Sequence, residues 1–287
     1  MGASIAIIGA GPRGISITER IAAYLKERGG GSVTLHIIDD AQLGAGRVWE
    51  TAQTRTLCMN TLAGAVTLFT EPGATVTDVG SVKQSVIAAV APHIPPGVHF
   101  IPGHPLAGTE HSGPRSGFAS LFQNRWWLLT PLPDSDPAAV ARLSDLVRAM
   151  GAKTDSMEAA HHDLVLAVTS HAPHLIAYTM VGVADHLRRV TDEEVIQYSA
   201  AGFRDFTRIA ASDPTMWRDV FLHNKEATLD ILGRFTEELF VLQRAIRMGD
   251  GQQLFDYFTR TRAIRRGIIE AGQDTAAPDF GRVSPAR

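Results

Sequence analysis

The first half of the chain alternates short apolar runs with segments of helical periodicity. Each apolar run ends in a glycine-rich or polar loop. The strand-like runs cover residues 4–8, 33–38, 74–79, 98–102 and 126–130, and the helical segments cover residues 15–28, 82–91 and 138–150. This alternation predicts an α/β layer with a mostly parallel sheet. Ser81 and Gln84 have the spacing of a capping box, which places the start of the second helix near residue 82.

The second half of the chain, from about residue 158, has a helical pattern throughout. Residues 158–190 predict a long apolar helix that Pro173 interrupts, because proline removes a backbone hydrogen bond. Pro214 marks the start of a later helix, and a last helix covers residues 251–270. One apolar stripe, ending before Gly249, is formed by Leu232, Phe235, Leu239, Leu242 and Ile246. We interpret this stripe as the core of a helix bundle, with a dimer interface as the alternative.

Composition and charge narrow the class of protein. The 287 residues are 45% hydrophobic and 20% charged, which is ordinary for a globular protein of about two domains. The net charge of −3 gives no reason to expect nucleic acid or an anionic membrane as a partner. Cys58 is the only cysteine, which suits a reducing cytoplasm. We expect no signal peptide and no membrane-spanning helix, since no uninterrupted apolar run approaches the roughly 20 residues that such a helix needs.

A glycine motif follows the first predicted strand and precedes the first predicted helix. Gly9, Gly11 and Gly14 have the spacing G-x-G-x-x-G, which permits a tight turn, a close approach to a pyrophosphate and close helix–strand packing. Asp39 or Asp40 ends the second strand, where a carboxylate binds a ribose diol and repels a 2′-phosphate. The motif therefore predicts a dinucleotide site that prefers NAD, with NADP possible. A glycine turn without a ligand is the alternative.

Polar groups follow several predicted strands, at the edge where ligands bind in open α/β sheets. Gly9, Asp39, Ser81 and His104 all have such positions. His104 is the candidate acid or base, because an unperturbed imidazole titrates near neutral pH. A loop histidine bonded to backbone is the alternative for His104, and a helix N-cap is the alternative for Ser81.

The helical half adds two candidate clusters. His171 and His174 are three residues apart and so share a helix face. Packing is the alternative role for both, and no metal site is predicted, because no further ligands have suitable spacing. Asp205 and Arg208 form the second cluster, for which a surface ion pair is the alternative.

Five segments together resemble the prephenate/arogenate (cyclohexadienyl) dehydrogenase family over residues 73–280. They are Thr-Asp-Val-Gly-Ser-Val-Lys at 77–83, Gly-His-Pro-Leu-Ala-Gly-Thr-Glu at 103–110, Thr-Ser-His-Ala-Pro-His at 169–174, Gly-Phe-Arg-Asp-Phe-Thr-Arg-Ile-Ala at 202–210 and Ser-Asp-Pro-Thr-Met-Trp-Arg-Asp at 212–219. The resemblance implies an α/β Rossmann-like dinucleotide-binding domain at residues 1–157 and an all-α substrate and dimerisation domain at residues 158–287. It also implies NAD(P)-dependent oxidative decarboxylation of prephenate or arogenate in tyrosine biosynthesis, by a homodimer.

The resemblance implies roles for individual residues. His104 is implied as the catalytic acid or base, and Ser81 as a contact of both substrate and histidine. Arg208 is implied to bind a substrate carboxylate, to which a planar guanidinium is suited. The remaining substrate-site residues implied are Thr109, Glu110, His171, His174 and Asp205.

Residues 1–72 resemble a different family. The segments Gly-Ala-Gly-Pro-Arg-Gly at 9–14, Leu-Gly-Ala-Gly-Arg-Val-Trp at 43–49 and Cys-Met-Asn-Thr at 58–61 are similar to the N-terminal segment of flavin-type FAD/NAD(P)-binding proteins. The dehydrogenase family has a further strand–helix–strand passage before the segment at 77–83, so we interpret the chain as a hybrid. Two alternatives follow: an FAD/NAD(P)-binding protein that uses FAD, and a folded hybrid without catalytic activity.

Overall fold

A computed structural model describes residues 3–8, 33–38, 72–108, 118, 120–188, 198 and 200–270. For the first two ranges it describes the backbone of two strands. The helix predicted at 15–28 lies outside the described residues, as do residues 39–71 between the second strand and Pro72. The chain divides into two compact units, Met1–Leu229 and Asp230–Arg287.

The first sheet has four parallel strands in the order β2–β1–β3–β4. The strands are β1 (Ala3–Ile8), β2 (Val33–Ile38), β3 (Thr75–Thr77) and β4 (His99–Phe100). Strand β1 lies between β2 and β3, with Ile5 opposite both Leu35 and Thr75. The chain therefore runs from β1 to β2 on one side and on to β3 on the other side. This reversal makes the carboxyl ends of β1 and β3 the topological switch point, where ligands bind in open α/β sheets.

Helix α1 (Gln84–Val90) and a 3₁₀ turn (Ala91–His93) follow β3. The helix packs against the first sheet through one apolar cluster of Val76, Val86, Val90 and Phe100. This packing buries the strand end from which the loop containing Ser81 departs.

The predicted capping box at the start of α1 is wrong. The helix begins at Gln84, and the N-cap residue, Lys83, makes no side-chain capping bond. The carboxylate of Asp163 accepts hydrogen bonds from the backbone amides of Lys83 (2.8 Å) and Gln84 (2.9 Å) instead. A side chain some 80 residues away in sequence thus satisfies the amides that a local Ser81 cap would otherwise serve.

The second sheet is mixed, while the first is parallel throughout its described strands, so the predicted mostly parallel arrangement is confirmed. The order of the second sheet is β5–β6–β7, with β5 antiparallel to β6 and β6 parallel to β7. The strands are β5 (Gly103–Pro105), β6 (Trp126–Leu129) and β7 (Lys153–Ser156). The sequence analysis missed β5, which is three residues long, and β7, whose residues Lys-Thr-Asp-Ser carry no apolar run.

Helix α2 (Pro137–Ala149) covers the second sheet. Its first turn has Pro137, and Asp136 caps it by accepting a hydrogen bond from the Ala138 amide, as expected for a helix start. The core between helix and sheet contains Ile101, Phe122, Trp127, Leu129, Leu143, Val147 and Met150.

A long helical segment begins directly after the second sheet. It comprises α3 (Ala159–Leu166), a π-helical turn (Ala167–His171) and α4 (Ala172–Arg188) without a gap. The amide of Ala172 donates to the carbonyl of Ala167, which is the five-residue spacing of a π turn. The π turn ends two residues before Pro173 and the α-helix continues through the proline, so the predicted kink at Pro173 stays a prediction. The predicted domain boundary at residue 157 stays a prediction.

Within the described residues, one helix, Ala159–Leu187, is long and apolar enough to cross a membrane. Its mean hydropathy is 1.4 over an 18-residue window, of which 28% is buried. Length and composition alone are weak evidence, because core helices meet the same criterion. The helix also carries the buried residues His162, Asp163 and His171, which are typical of a helix that builds a polar site.

Four further α-helices and a 3₁₀ turn (Arg208–Ala211) complete the described chain. The helices are α5 (Ala201–Thr207), α6 (Pro214–His223), α7 (Lys225–Met248) and α8 (Gly251–Glu270). Asp213 caps α6 by accepting from the Met216 amide. Gly249 follows α7 with φ of 68°, a left-handed conformation that favours glycine. The predicted helix start at Pro214 and the predicted helix end before Gly249 are confirmed.

The predicted bundle core on α7 is wrong. Phe235, Leu239 and Ile246 are exposed, while Leu232 and Leu242 are only partly buried. In the unit Asp230–Arg287, large exposed apolar side chains also include Phe240, Val241, Met248, Phe255, Phe258, Ile264 and Ile268. Apolar surface of this extent is typical of a face that another protein surface covers. The alternative interpretation, a dimer interface, therefore remains a prediction.

Candidate active site

His104 lies on strand β5 and not in a loop after a strand, which corrects its predicted position. It stands opposite Leu128 of β6 and is only 3% exposed. The preceding residue, Gly103, is packed so closely that a Cβ atom there would lie 2.7 Å from Nε1 of Trp127. The backbone that carries His104 is therefore fixed by close packing.

A buried ion pair anchors the loop after β3 to strand β5. Lys83 is fully buried, and its Nζ donates to the carboxylate of Asp78 and, at 2.7 Å, to the carbonyl of Gly103. The other carboxylate oxygen of Asp78 accepts from the Gly103 amide at 3.1 Å. The Gly80 amide also donates to Asp78, at 2.8 Å. The loop that contains Ser81 is thus held next to the strand that contains His104.

His162, on α3, connects His104 to Asp163. Its Nε2 lies 2.9 Å from Nδ1 of His104, and its Nδ1 lies 2.9 Å from a carboxylate oxygen of Asp163. The His162 ring is fully buried and meets the His104 ring edge-on, with centroids 5.1 Å apart. We call His104, His162 and Asp163 the triad.

Asp163 is held as a carboxylate by its hydrogen bonds. Burial alone would raise the pKa of Asp163. The hydrogen bonds from His162 and from the Lys83 and Gln84 amides outweigh that effect and keep the pKa below its ordinary value. A charged Asp163 can therefore only accept hydrogen bonds.

His171, in the π turn, is a buried neutral histidine. The side-chain amide nitrogen of Asn224 lies 3.0 Å from Nδ1 of His171, to which it donates one hydrogen. It donates the other to the Asp163 carbonyl, at 2.8 Å. Nδ1 of His171 must then be an acceptor, which places the proton on Nε2. Burial lowers the pKa of His171 to about 4, against a smaller opposing effect of the Asp163 charge. Within the described residues, Nε2 of His171 is buried without a hydrogen-bond partner.

His174 stacks on Trp217 of α6, with ring centroids 3.6 Å apart and planes 24° apart. Its Nδ1 donates to the Ser170 carbonyl at 2.8 Å, so the neutral ring has its lone pair on Nε2. Burial lowers the pKa of His174, and the positive charge of Arg208 acts in the same direction. His171 meets the same tryptophan edge-on, which confirms that the two histidines share a face.

The other predicted site residues have different surroundings. Ser81 and Arg208 are partly buried, and Asp205 is exposed on α5. Thr109, Glu110, Gly9, Gly11, Gly14, Asp39 and Asp40 lie outside the described residues. The structure thus links His104 to His162 and Asp163, and it packs His171 and His174 against Trp217 with Arg208 near His174.

The first sheet fits a dinucleotide. Gly9 follows the last residue of β1 and Asp39 follows the last residue of β2, and the strand order places a switch point beside β1. In such sheets the glycine turn and the acidic residue lie at the edge where the pyrophosphate and ribose bind. Within the part of the chain that is described, no three His, Cys, Asp or Glu side chains are grouped to hold a metal ion.

Several buried polar residues of this site were not predicted from the sequence, among them Lys83, His162 and Asp163. The adjacent His162 and Asp163 stand in a helix that is otherwise largely apolar, and charged residues are rarely buried unless they are paired. That contrast was the available signal. The sequence around Lys83 gives a weaker signal of burial, because a lysine before a helix is ordinary at a protein surface.

Comparisons with known proteins agree with this architecture. The model of the prephenate dehydrogenase nucleotide-binding domain matches residues 57–156, and that of the prephenate dehydrogenase dimerization domain matches residues 158–260. The chain is 39% identical over 210 residues to the cyclohexadienyl dehydrogenase of Zymomonas mobilis, covering 73% of this chain and 71% of that protein. The chain belongs to the prephenate dehydrogenase family. The predicted family and the predicted class of enzyme, an oxidoreductase of this family, are confirmed.

Two further comparisons cover different shares of the similar protein. The chain is 37% identical to the prephenate dehydrogenase of Bacillus subtilis, but spans only 55% of that protein. The crystal structure of the Aquifex aeolicus prephenate dehydrogenase with hydroxyphenyl propionate and NAD⁺ has a TM-score of 0.75, covering 93% of this chain and 98% of that one at 24% identity. This likeness confirms the predicted fold, a Rossmann-like α/β domain followed by a helical domain.

The N-terminal segment matches a second family, as predicted. A model described as FAD-NAD(P)-binding matches residues 6–82. The L-aspartate N-monooxygenase (nitrosuccinate-forming) of Streptomyces cremeus is 51% identical over 69 residues, which are 24% of this chain and 10% of that protein. The hybrid interpretation is therefore confirmed at the level of sequence.

His171 makes the stability of the fold depend on pH. The unfolded chain binds a proton at this residue near pH 6.5 and the folded chain only near pH 4. Between these values the unfolded state holds more protons, so stability is lost as the pH falls through this window. The loss from His171 alone is roughly 2 kcal/mol between pH 7 and pH 5, and His174 acts in the same direction. Asp163 contributes to the pH dependence of stability only below its ordinary pKa of 3.8.

We expect His171→Gln to flatten this dependence. Urea unfolding at pH 7 and pH 5 should give a smaller difference in unfolding free energy for the variant than for the wild type, whatever its absolute stability. His161→Gln, at an exposed neighbouring position, should keep the wild-type difference. An unchanged difference in His171→Gln would show that this histidine is not the acid-sensitive group.

Proposed function

We propose that the chain catalyses the NAD-dependent oxidative decarboxylation of prephenate or arogenate. The observation that carries the proposal is the buried, tightly held His104 in a chain of the prephenate dehydrogenase family. A histidine in this setting is suited to general acid–base catalysis, which needs a positioned group that titrates near neutral pH.

In the proposed reaction, the C4 hydroxyl of the substrate donates its proton, or a strong hydrogen bond, to His104. When bound, NAD accepts the hydride that leaves C4. The ring carboxylate departs as carbon dioxide, its electron pair makes the ring aromatic, and the proton returns to the phenolic oxygen. Aromatisation supplies much of the driving force, so the residues mainly orient the substrate and place charge.

Arg208 is the proposed binding residue for a substrate carboxylate. It is partly buried and lies close enough to His174 for its positive charge to lower the pKa of that ring. An arginine fork binds a carboxylate through two parallel hydrogen bonds. For Ser81 we propose contact with substrate and His104, and for Thr109, Glu110, His171, His174 and Asp205 supporting roles around the substrate.

NAD is the cofactor that we propose. The family match of the nucleotide-binding domain, the sequence Gly9-x-Gly11-x-x-Gly14 and the acidic pair Asp39-Asp40 all support it. The match of residues 6–82 to an FAD-NAD(P)-binding model keeps FAD binding as the second candidate function. For the compartment we propose the cytoplasm, which the single cysteine supports.

The first experiment is NADH formation, followed by absorbance, with prephenate or arogenate and NAD or NADP. We expect turnover in the wild type and a loss of about 10²- to 10⁴-fold in kcat for His104→Asn, with little change in KM, because the proton-accepting group acts in the transition state. His93→Asn, at an exposed position, is the matched control.

Other outcomes of this experiment separate the alternatives. A folded wild type without turnover would indicate an inactive hybrid. Yellow purified protein would indicate bound flavin. A His104→Asn variant that mainly raises KM would show that the histidine binds substrate and does not transfer the proton.

For Arg208→Gln we expect the opposite kinetic signature. Removing the guanidinium should raise KM for the dianionic substrate by about 10- to 100-fold, because a charge-assisted pair is lost. Arg148→Gln, on the exposed side of α2, should leave KM unchanged. Steady-state kinetics at saturating NAD distinguishes the two variants, and an unchanged KM for Arg208→Gln would exclude this role.

We also propose that the chain forms a homodimer through its helical domain. The match to a dimerization domain over residues 158–260 and the exposed apolar side chains of α7 and α8 support this. Light scattering at micromolar concentration should give twice the 30.9 kDa of one chain. Leu239→Glu, which places a charge on the exposed stripe, should shift the mass toward one chain, and a monomeric wild type would contradict the proposal.

A further inference from the structure

We propose that His162 and Asp163 are positioning residues for His104, and that together they determine which ring nitrogen of His104 has the lone pair. The inference rests on the proposed role of His104 as the proton acceptor. It extends that role to two residues that do not touch the substrate and that act through hydrogen bonds within the triad.

The Asp163 carboxylate is held in one orientation. Both oxygens of Asp163 accept backbone hydrogen bonds, from the amides of Lys83 and Gln84, so the carboxylate cannot turn freely. An ionised carboxylate only accepts hydrogen bonds. The 2.9 Å contact between Asp163 and Nδ1 of His162 therefore requires a proton on that Nδ1.

The proton on Nδ1 of His162 in turn determines the tautomer of His104. When each ring has one proton, Nε2 of His162 is left as an acceptor. The 2.9 Å contact between this Nε2 and Nδ1 of His104 then requires Nδ1 of His104 to be the donor. Nε2 of His104 consequently has the lone pair. The orientation of one carboxylate is thus transmitted through two rings to the reacting atom.

This arrangement favours the proposed reaction in two ways. The opposite tautomer, with its proton on Nε2, could not accept a proton there. The triad also stabilises the positive charge that develops on His104 during proton transfer, because a hydrogen bond to a charged group is stronger than one between neutral groups. Both effects are large in a buried site, where His104 is 3% exposed and His162 is fully buried.

The other charged and titratable groups near the triad do not duplicate this effect. Lys83 and Asp78 form a compact ion pair beside Gly103, so their charges largely cancel at a distance. His171 lies close enough for its pKa to respond to both Asp163 and His162, but it is neutral above about pH 4. Among the described residues, the carboxylate that is hydrogen-bonded toward His104 is that of Asp163.

Two substitutions of His162 separate positioning from packing. His162→Phe fills the space but removes the acceptor, and kcat should fall about 10- to 100-fold with KM nearly unchanged. The acid limb of the kcat/KM profile should move down by about one pH unit, because protonated His104 loses its stabilising partner. His162→Gln keeps an acceptor oxygen near His104 but not the link to Asp163. His162→Gln should therefore retain most of the kcat that His162→Phe loses, while the acid limb of its kcat/KM profile should still be shifted.

The control is His161→Gln, one residue earlier on the exposed side of α3, which should match the wild type in rate and in pH profile. Equal loss of kcat in both His162 variants, with an unshifted acid limb, would indicate packing alone and overturn the proposal. So would an unchanged kcat in His162→Phe.

Ring ¹⁵N NMR of histidine-labelled protein supplies a readout that does not require turnover. In the wild type, the His104 signals should correspond to a proton on Nδ1, whereas in His162→Phe they should correspond to a mixture of tautomers. A wild-type His104 with its proton on Nε2 would overturn the proposal even in an active enzyme. The expected NMR pattern in a protein that forms no NADH would instead refute the proposed reaction and leave the positioning role standing.

Discussion

The site depends on one buried lysine. Lys83 is fully enclosed, and its ammonium group has two partners that satisfy it, the Asp78 carboxylate after β3 and the Gly103 carbonyl on β5. Its backbone amide has a third partner, Asp163 on α3. One residue therefore fixes the distances among two sheets and the long helix. Losing either member of a buried ion pair leaves the other uncompensated, at a cost of about 3–5 kcal/mol, so this junction tolerates little change.

The geometry explains how a site is assembled from parts that are far apart in sequence. The first sheet presents strand ends to a nucleotide, the second sheet holds His104, and the long helix adds His162 and Asp163. The contacts that link His104, His162 and Asp163 are hydrogen bonds between buried groups. Such bonds are directional and costly to leave unmade, so they define relative positions more sharply than apolar packing does.

Much of the fold could be predicted from local patterns. Strand β2, the helix start at Pro214 and the helix end before Gly249 all follow from signals within a few residues. His104 was recognisable as a candidate because its chemistry and sequence context are distinctive. Its place on a strand was not, because β5 has three residues and gains its stability from pairing with β6.

The errors have a common physical cause, since each concerns a contact made at long range. Ser81 and Gln84 have the spacing of a local cap, yet a carboxylate from α3 takes that place. The stripe on α7 has the period of a core helix, yet periodicity does not say whether the same chain or another chain covers it. Sequence periodicity predicts that a face will be buried, whereas the partner is decided by tertiary or quaternary structure.

The π turn at Ala167–His171 determines how far the side chains after it are rotated around the helix axis relative to those before it. In a regular α-helix each residue advances about 100°, so residues 163 and 171 would be offset by about 80° around the axis. A turn closed over five residues rotates less per residue and reduces that offset. The wide turn thus acts as a one-residue insertion that brings His171 toward the face that carries Asp163. Without it, His171 would turn away from Asp163 although no residue of the site had changed.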